Sequence, residues 1–218
     1  MTSSTARDTV AVATLPWIDD LASGIRRVLR RDLPPLTTAR HVADLLGPLL
    51  GRPGLLTAEQ EAGDPRSYRQ HLLHACPDSG FSIVALVWLP GQHTAVHDHV
   101  CWCVAGVHQG VETEQTFRPM PGAGTGQAGQ AGQTVQPGRL IPDRSVVNPT
   151  GALSALAPPG DIHRVGNTGP GKAISLHIYG ADLSRLGSSI RRVYPDPTAA
   201  ATTTTTTTTT TPEPHGES

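Results

Sequence analysis

Between Gly91 and His99 the chain reads Gly-Gln-His-Thr-Ala-Val-His-Asp-His, which sets two imidazoles two residues apart. On a strand, side chains at that spacing project from one face, so His97 and His99 can reach a single metal ion. A third imidazole, His163, follows the bends of Pro158, Pro159 and Gly160 and leads into another predicted strand. Three neutral nitrogen donors leave coordination positions open, as a catalytic ion needs and a closed structural site does not. A lone histidine on a strand is more often an ordinary polar residue. Two inward imidazoles on one strand, however, are costly to satisfy without a shared partner. His93 has the same parity as His97 and His99 and competes with them as a ligand, although it stands close to the turn at Gly91.

A second constellation is Ser175-Leu176-His177-Ile178-Tyr179, in which polar and apolar residues alternate at the strand period. Ser175, His177 and Tyr179 therefore share one face, with Leu176 and Ile178 on the other. Such a row can pass hydrogen bonds to a terminal phenol that orients or protonates an oxygen species at a nearby metal. The same pattern also describes a half-exposed strand whose polar face meets water.

The elements that must position these residues follow from pattern. From Pro16 to Leu50 apolar residues recur at helical spacing, as in Ile18, Leu21, Ile25, Val28 and Leu29, with Arg26, Arg27, Arg30 and Arg31 on the other faces. Two helices are expected, separated near Pro34 and Pro35. A third short helix is expected from Thr57, where Thr57 and Gln60 have the spacing of a capping box, and the helical layer should end by about Pro77. Beyond Phe81 the chain turns to short runs rich in Val, Ile, Leu, Trp and Thr, punctuated by Gly and Pro. Expected strands are 81–89, 96–108, 111–117 and 173–179. Many short strands without intervening helices predict a mainly β sandwich or barrel.

At 218 residues the chain suits one domain with one core, expected over residues 16–196. Residues 1–15 read as a flexible N-terminus. The Gly, Gln, Ala and Pro stretch at 119–138 reads as a mobile surface loop, and the Thr-rich tail 197–218 as disordered. A formal net charge of -1 gives no basic field to attract nucleic acid or an anionic membrane. The residues before Pro16 have no apolar stretch of signal length and no apolar run long enough to cross a bilayer follows, so neither export nor membrane insertion is expected. The three cysteines, Cys76, Cys101 and Cys103, make a poor disulfide framework. A reducing, cytoplasmic setting is therefore expected, with no nucleic acid, membrane or obligatory protein partner.

The two constellations resemble those of the cupin thiol dioxygenases, the family of cysteine dioxygenase and 3-mercaptopropionate dioxygenase, over about residues 68–194. The first cupin motif, Gly-x5-His-x-His-x3-Glu-x6-Gly, maps onto Gly91, His97, His99, Cys103 and Gly110. The glutamate ligand of most cupins is replaced by Cys103, and its absence is characteristic of thiol dioxygenases. The family's third histidine corresponds to His163 and its Ser-x-His-x-Tyr row to Ser175, His177 and Tyr179. The resemblance implies a cupin fold, the double-stranded β-helix or jelly-roll barrel, here with an N-terminal layer of short α-helices. It implies Fe(2+) held by three histidines, and conversion of a small thiol with O2 to the sulfinic acid. A ferrous ion with three neutral ligands keeps its full charge and can stabilise a thiolate and reduced oxygen together.

Substrate choice in the family goes with the residue that meets the substrate carboxylate. Cysteine dioxygenases have an arginine two residues after a tyrosine, whereas this chain has Tyr68-Arg69-Gln70, which looks like the bacterial 3-mercaptopropionate type. That type also uses an arginine downstream of the tyrosine row, for which Arg192 or Arg191 is the counterpart, beyond extra residues around 184–189. Cys103 stands where animal cysteine dioxygenases have the cysteine that crosslinks to the relay tyrosine and bacterial relatives usually have glycine, so the resemblance mixes two subfamilies and admits either a Cys103–Tyr179 thioether or a cysteine that only packs. The other readings are cysteine dioxygenase proper, forming cysteine sulfinate, and a cupin that acts on a non-thiol substrate or binds metal without catalysis.

Overall fold

The computed structural model describes residues 15–120 and 139–197. The N-terminus, nearly all of the Gly/Gln loop and the Thr-rich tail expected from the sequence lie outside the described residues.

Both expected helices form. Helix α1 (Pro16–Leu29) and helix α2 (Pro35–Leu46) each open on a proline, whose missing N–H is not needed at the first helical position. Helix α1 buries Ile18, Leu21, Ala22, Ile25 and Val28, and α2 buries Thr38, Ala39, Val42, Ala43 and Leu46. The helices approach closely at Gly24, where a Cβ would stand 3.0 Å from Leu45 Cδ1. The expected third helix does not form. Thr57 and Gln60 exchange the reciprocal cap bonds, at 3.0 and 3.3 Å, but the segment stays a turn. Gly63 and Pro65 follow at once, and neither supports a further helical turn. The helical layer thus ends with a 3-10 turn at Gly47–Leu49, earlier than expected.

Strand β1 (Arg69–Cys76) occupies part of the expected helical layer. Its alternation is broken by a register shift between Leu72 and His74, which hides its period. There follow β2 (Phe81–Trp88), β3 (Val96–His99), β4 (Cys103–Gln109), β5 (Val111–Pro119), β6 (Leu140–Pro149), β7 (Leu153–Leu156), β8 (His163–Gly166), β9 (Ala173–Tyr179), a short helix α3 (Leu183–Leu186) and β10 (Ile190–Tyr194). The strand expected over 96–108 is two strands. The chain bends at Val100–Trp102 and passes from one sheet to the other, and Gly180, whose N–H bonds Trp102 O at 2.9 Å, makes room for the Trp102 ring.

Two five-stranded antiparallel sheets result, ordered β1-β2-β9-β4-β7 and β10-β3-β8-β5-β6. Apart from the β5–β6 hairpin, strands from β2 onward alternate between the sheets. That path is a double-stranded β-helix, the cupin jelly roll. The turn from β4 to β5 needs Gly110, with φ 77°, where a Cβ would stand 2.6 Å from Lys172 O.

The first sheet has two unlike faces. Phe81, Ile83, Ala85, Val87, Val104, Ile174, Leu176 and Ile178 point outward and form the main core with α1 and α2. At Gly106 a Cβ would come within 2.9 Å of both Leu46 and Leu50, so the helices sit directly on the sheet. Val84, Leu86, Trp88, Cys103 and Tyr179 pack on the other side, towards the second sheet.

Candidate metal centre and hydrogen-bond relay

In the second sheet β3 lies beside β8, with His97 directly opposite His163. His99 follows on the same face of β3. The ring centroids are 4.8 Å apart for His97–His99, 4.7 Å for His97–His163 and 5.0 Å for His99–His163. One ligand atom from each ring lies within 4.8 Å of the other two, and all three residues are buried.

Each ring is held by its Nδ1. That of His97 meets Ala95 O at 2.9 Å, that of His99 meets Asp161 Oδ2 at 3.1 Å, and that of His163 meets Glu114 Oε1 at 2.8 Å. Asp161 Oδ2 also accepts from the His99 backbone N–H at 3.0 Å, and Glu114 Oε2 accepts from Ser154 Oγ at 2.8 Å. A carbonyl or carboxylate at Nδ1 fixes the proton there and leaves the lone pair on Nε2. His163 Nε2 is buried without a hydrogen-bond partner among the described residues. An unpartnered buried nitrogen grouped with two more imidazoles fits a divalent metal ion, and the all-imidazole set suits iron, zinc, copper or nickel.

Electrostatics favour neutral rings. Burial drives the His97 imidazole down to about 3, and burial also lowers His99 against the opposing pull of Asp161. Burial pushes Asp161 and Glu114 upward, but their bonds to His99 and to His163 and Ser154 outweigh it and hold both carboxyls below their ordinary values. Neutral rings backed by carboxylates are good metal ligands.

Facing the histidines from the first sheet is the row predicted on β9. Trp88 Nε1–H donates to Ser175 Oγ at 3.1 Å, Ser175 Oγ lies 2.9 Å from His177 Nε2, and His177 Nδ1 lies 3.2 Å from Tyr179 Oη. The Tyr179 ring centroid is 5.9 Å from that of His99. A small cavity between the sheets is lined by Leu86, Trp88, Thr94, Val165, the three histidines, His177 and Tyr179. Burial pushes the Tyr179 phenol and the Cys103 thiol well up, so both stay protonated. Cys103 is the direct cross-strand partner of Tyr179, which sets both side chains on one face.

Other expected site residues lie further out. Tyr68 packs against Trp88 with ring centroids 4.6 Å apart and the planes tilted by 31°. Gln70 pairs with Leu86, a cavity residue, and so shares its face, but at the exposed edge of the sheet. Arg192 is not brought to the histidines. Its Nε and Nη2 hold Asp98 Oδ2 at 3.1 and 2.8 Å, with Arg191 Nη2 at 2.6 Å and Tyr194 Oη at 2.9 Å. Asp98 is the residue between His97 and His99 and points to the opposite face. His93, the competing ligand, is exposed and bonds Thr94 O at 2.9 Å through Nδ1. It lines a wider cleft on the outer face of the second sheet with Thr113, Gln115 and Arg164, away from the three histidines.

Asp161, Glu114, Glu112 and Trp88 carry parts of the site that the sequence analysis did not single out. Asp161 had a signal, standing two residues before His163. Glu112 and Glu114 alternate on β5, but Thr113 and Gln115, which alternate with them, are also polar, so no apolar face told which set turns inward.

No family model matches the chain. Solved structures similar to it include proteins described as cupins or as having a double-stranded β-helix. One is a protein with a double-stranded β-helix domain from Klebsiella pneumoniae, with 16% identity and a TM-score of 0.40 over 60% of this chain and 86% of that one. Another is a cupin superfamily protein from Desulfitobacterium hafniense, with 13% identity and a TM-score of 0.40 over 61% and 95%. A third is oxalate decarboxylase of Lactobacillus farciminis in a formate complex, with 13% identity and a TM-score of 0.39 over 55% and 30%. Such distant likenesses carry nothing about activity, and the fold assignment rests on the strand order itself. Among the described residues no helix is long and apolar enough to cross a membrane.

Proposed function

We propose that the protein is an iron(II)-dependent thiol dioxygenase that converts a small thiol carboxylate and O2 to the sulfinic acid, with 3-mercaptopropionate preferred over cysteine. The observation that carries this reading is a cluster of three imidazoles with no carboxylate among the ligand atoms, faced by a hydrogen-bonded row that ends in the Tyr179 phenol. Iron(II) held by His97, His99 and His163 would supply the site at which thiolate and dioxygen meet, with the thiol sulfur as the net electron donor.

The chain's own residues then have separate tasks. Asp161 and Glu114 fix the ring orientations through Nδ1. Leu86, Trp88 and Val165 keep the cavity apolar on its remaining sides, which strengthens every polar contact within it. Tyr179, kept as a phenol by burial, offers a hydroxyl to bound oxygen, and Ser175 and His177 fix where that hydroxyl points. Gln70 on β1 and Tyr68 just before it are proposed to meet the substrate carboxylate, Tyr68 from beside Trp88 and Gln70 from opposite Leu86. Glutamine offers one neutral amide donor, whereas the arginine of a cysteine-specific site offers a charged bidentate contact, a difference of roughly 1 to 2 kcal/mol.

Cysteine dioxygenase proper is the second reading, favoured by Cys103 standing in register with Tyr179. A thioether between Cys103 Sγ and the Tyr179 ring would accompany turnover, and peptide mass analysis of the used enzyme would show the loss of a pair of hydrogen atoms. The two readings are separated by kcat/KM for the two thiols in one iron-loaded preparation. 3-Mercaptopropionate should have the higher value, and Gln70→Arg should move the ratio towards cysteine by about tenfold. A wild-type preference for cysteine would select the second reading.

A further inference from the structure

Glu112 lies on the inner face of β5, is 2% exposed, and its Oε2 has no hydrogen-bond partner among the described residues. That oxygen stands 3.9 Å from His177 Nε2. A buried carboxylate left without a partner is costly, and the nearest group able to answer it is this imidazole, the middle member of the relay. Around His177 the charged or titratable groups are Glu112 and Glu114 from β5, Tyr179 on its own strand, Cys103 from β4, and His97 and His99 across the cavity. Its register neighbours on β2 and β4, Val84 and Ala105, are apolar. His163 lines the same cavity, and the carboxylates of this set are Glu112 and Glu114.

We propose that Glu112 is a positioning residue, the buried counter-ion that lets His177 accept the proton released when a thiol substrate binds as thiolate. The inference rests on the thiol dioxygenase reading for its substrate but not for the pairing itself. The transfer balances without any further reactant. The S–H bond breaks with its electron pair left on sulfur, the proton goes to Tyr179 Oη, and Tyr179 passes its own proton to His177 Nδ1. The imidazolium then donates from Nδ1 to Tyr179 and from Nε2 to Ser175 Oγ, whose other lone pair already accepts from Trp88 Nε1–H at 3.1 Å. The positive ring so formed has the Glu112 carboxylate beside it, and the proton stays inside the protein instead of needing a water path.

The test uses the full chain loaded with zinc, which is diamagnetic, and reads the ring nitrogen resonances of His177. In Glu112→Gln, which keeps the shape and loses the charge, the fraction of His177 rings protonated on both nitrogens at a fixed acidic pH should fall about tenfold. Glu112→Asp, which keeps the charge, should recover most of that loss. An unchanged fraction in Glu112→Gln overturns the pairing. In the iron-loaded protein the same variant should lose about tenfold in kcat with thiol KM and iron content unchanged, a split that a merely structural residue would not give. An unchanged kcat overturns the role in turnover. Absence of thiol oxidation by the wild type would instead overturn the functional reading, with the resonance measurement still deciding the pairing.

Discussion

The two faces of strands β2 and β9 are made by alternate residues of the same segments and do opposite things. On the outer face Ile83, Ala85, Val87, Ile174, Leu176 and Ile178 are fully buried against α1 and α2 with nothing polar among them. On the inner face Trp88, Ser175, His177 and Tyr179 form a continuous hydrogen-bonded row turned towards three histidines. One face holds the chain together by burial, at about 1.5 to 3 kcal/mol for each large side chain. The other spends its burial on polar groups that must be satisfied one by one. The difference teaches that stability and chemistry are separated here by the pleat and not by distance, so adjacent residues should respond to substitution in unrelated ways.

The largest effect should come from the inner side. His99→Ala removes one of the three proposed ligands and leaves Asp161 Oδ2 with the backbone N–H of residue 99 but no imidazole, so metal content should fall below detection and oxygen uptake with it. Metal analysis and oxygen electrode traces on the purified variant check this. Full activity with bound metal would remove His99 from the site.

Leu176→Ala, one residue from His177 but on the outer face, should do the reverse. Loss of a fully buried leucine should lower stability by about 2 to 5 kcal/mol, seen as an earlier denaturant midpoint with unchanged slope. Metal content and KM should stay as in the wild type. A large loss of metal affinity in this variant would show that the faces are coupled after all.

Asp161→Asn tests the support behind the ligands. The His99 ring keeps a neighbour but loses the carboxylate that fixes its proton at Nδ1, and metal affinity should fall about 10- to 100-fold. Competition with a chelator measures this, and an unchanged affinity would limit Asp161 to packing.

The smallest effect belongs to Asp98, which faces away from the cluster. Burial pushes its carboxyl up, but bonds from Arg191, Arg192 and Tyr194 outweigh this and hold it at about 2, against an ordinary value of 3.8. A depressed carboxyl adds stability that is complete above the unfolded value and lost as pH falls through the folded one. Asp98→Asn should therefore be less stable than wild type at neutral pH, and the gap should close between about pH 4 and pH 2. A gap that does not change with pH would mean that the arginines hold Asp98 by shape alone.

How much of this was legible in the sequence follows the same division. Period-2 alternation in 175–179 gave both faces of β9, because Leu176 and Ile178 between polar residues mark the pleat. The spacing of His97 and His99, with His163 after the Pro-Pro-Gly bend, gave the cluster for the same reason. Strand β1 stayed hidden because its register shift breaks the alternation. The division of 96–108 into β3 and β4 was also hidden, because a crossing between sheets depends on Trp102 meeting Gly180, far away in sequence. Glu114 and Glu112 could not be given roles, since they come from another strand and have no local pattern, whereas Asp161, two residues before His163, had a local signal that was not used. Arg192 matched by order along the chain, but its strand turns it onto Asp98, a pairing set by register across β3 and β10.

The central claim is that the three imidazoles and the Tyr179 row serve oxidation of a thiol by dioxygen. Its most direct test is turnover of 3-mercaptopropionate under 18O2 by the iron-loaded protein, with mass analysis of the product. The account predicts a sulfinate in which both new oxygen atoms carry the label, formed with iron and not with zinc in the same site. Disulfide as the only product, or sulfinate carrying oxygen from water, would contradict it.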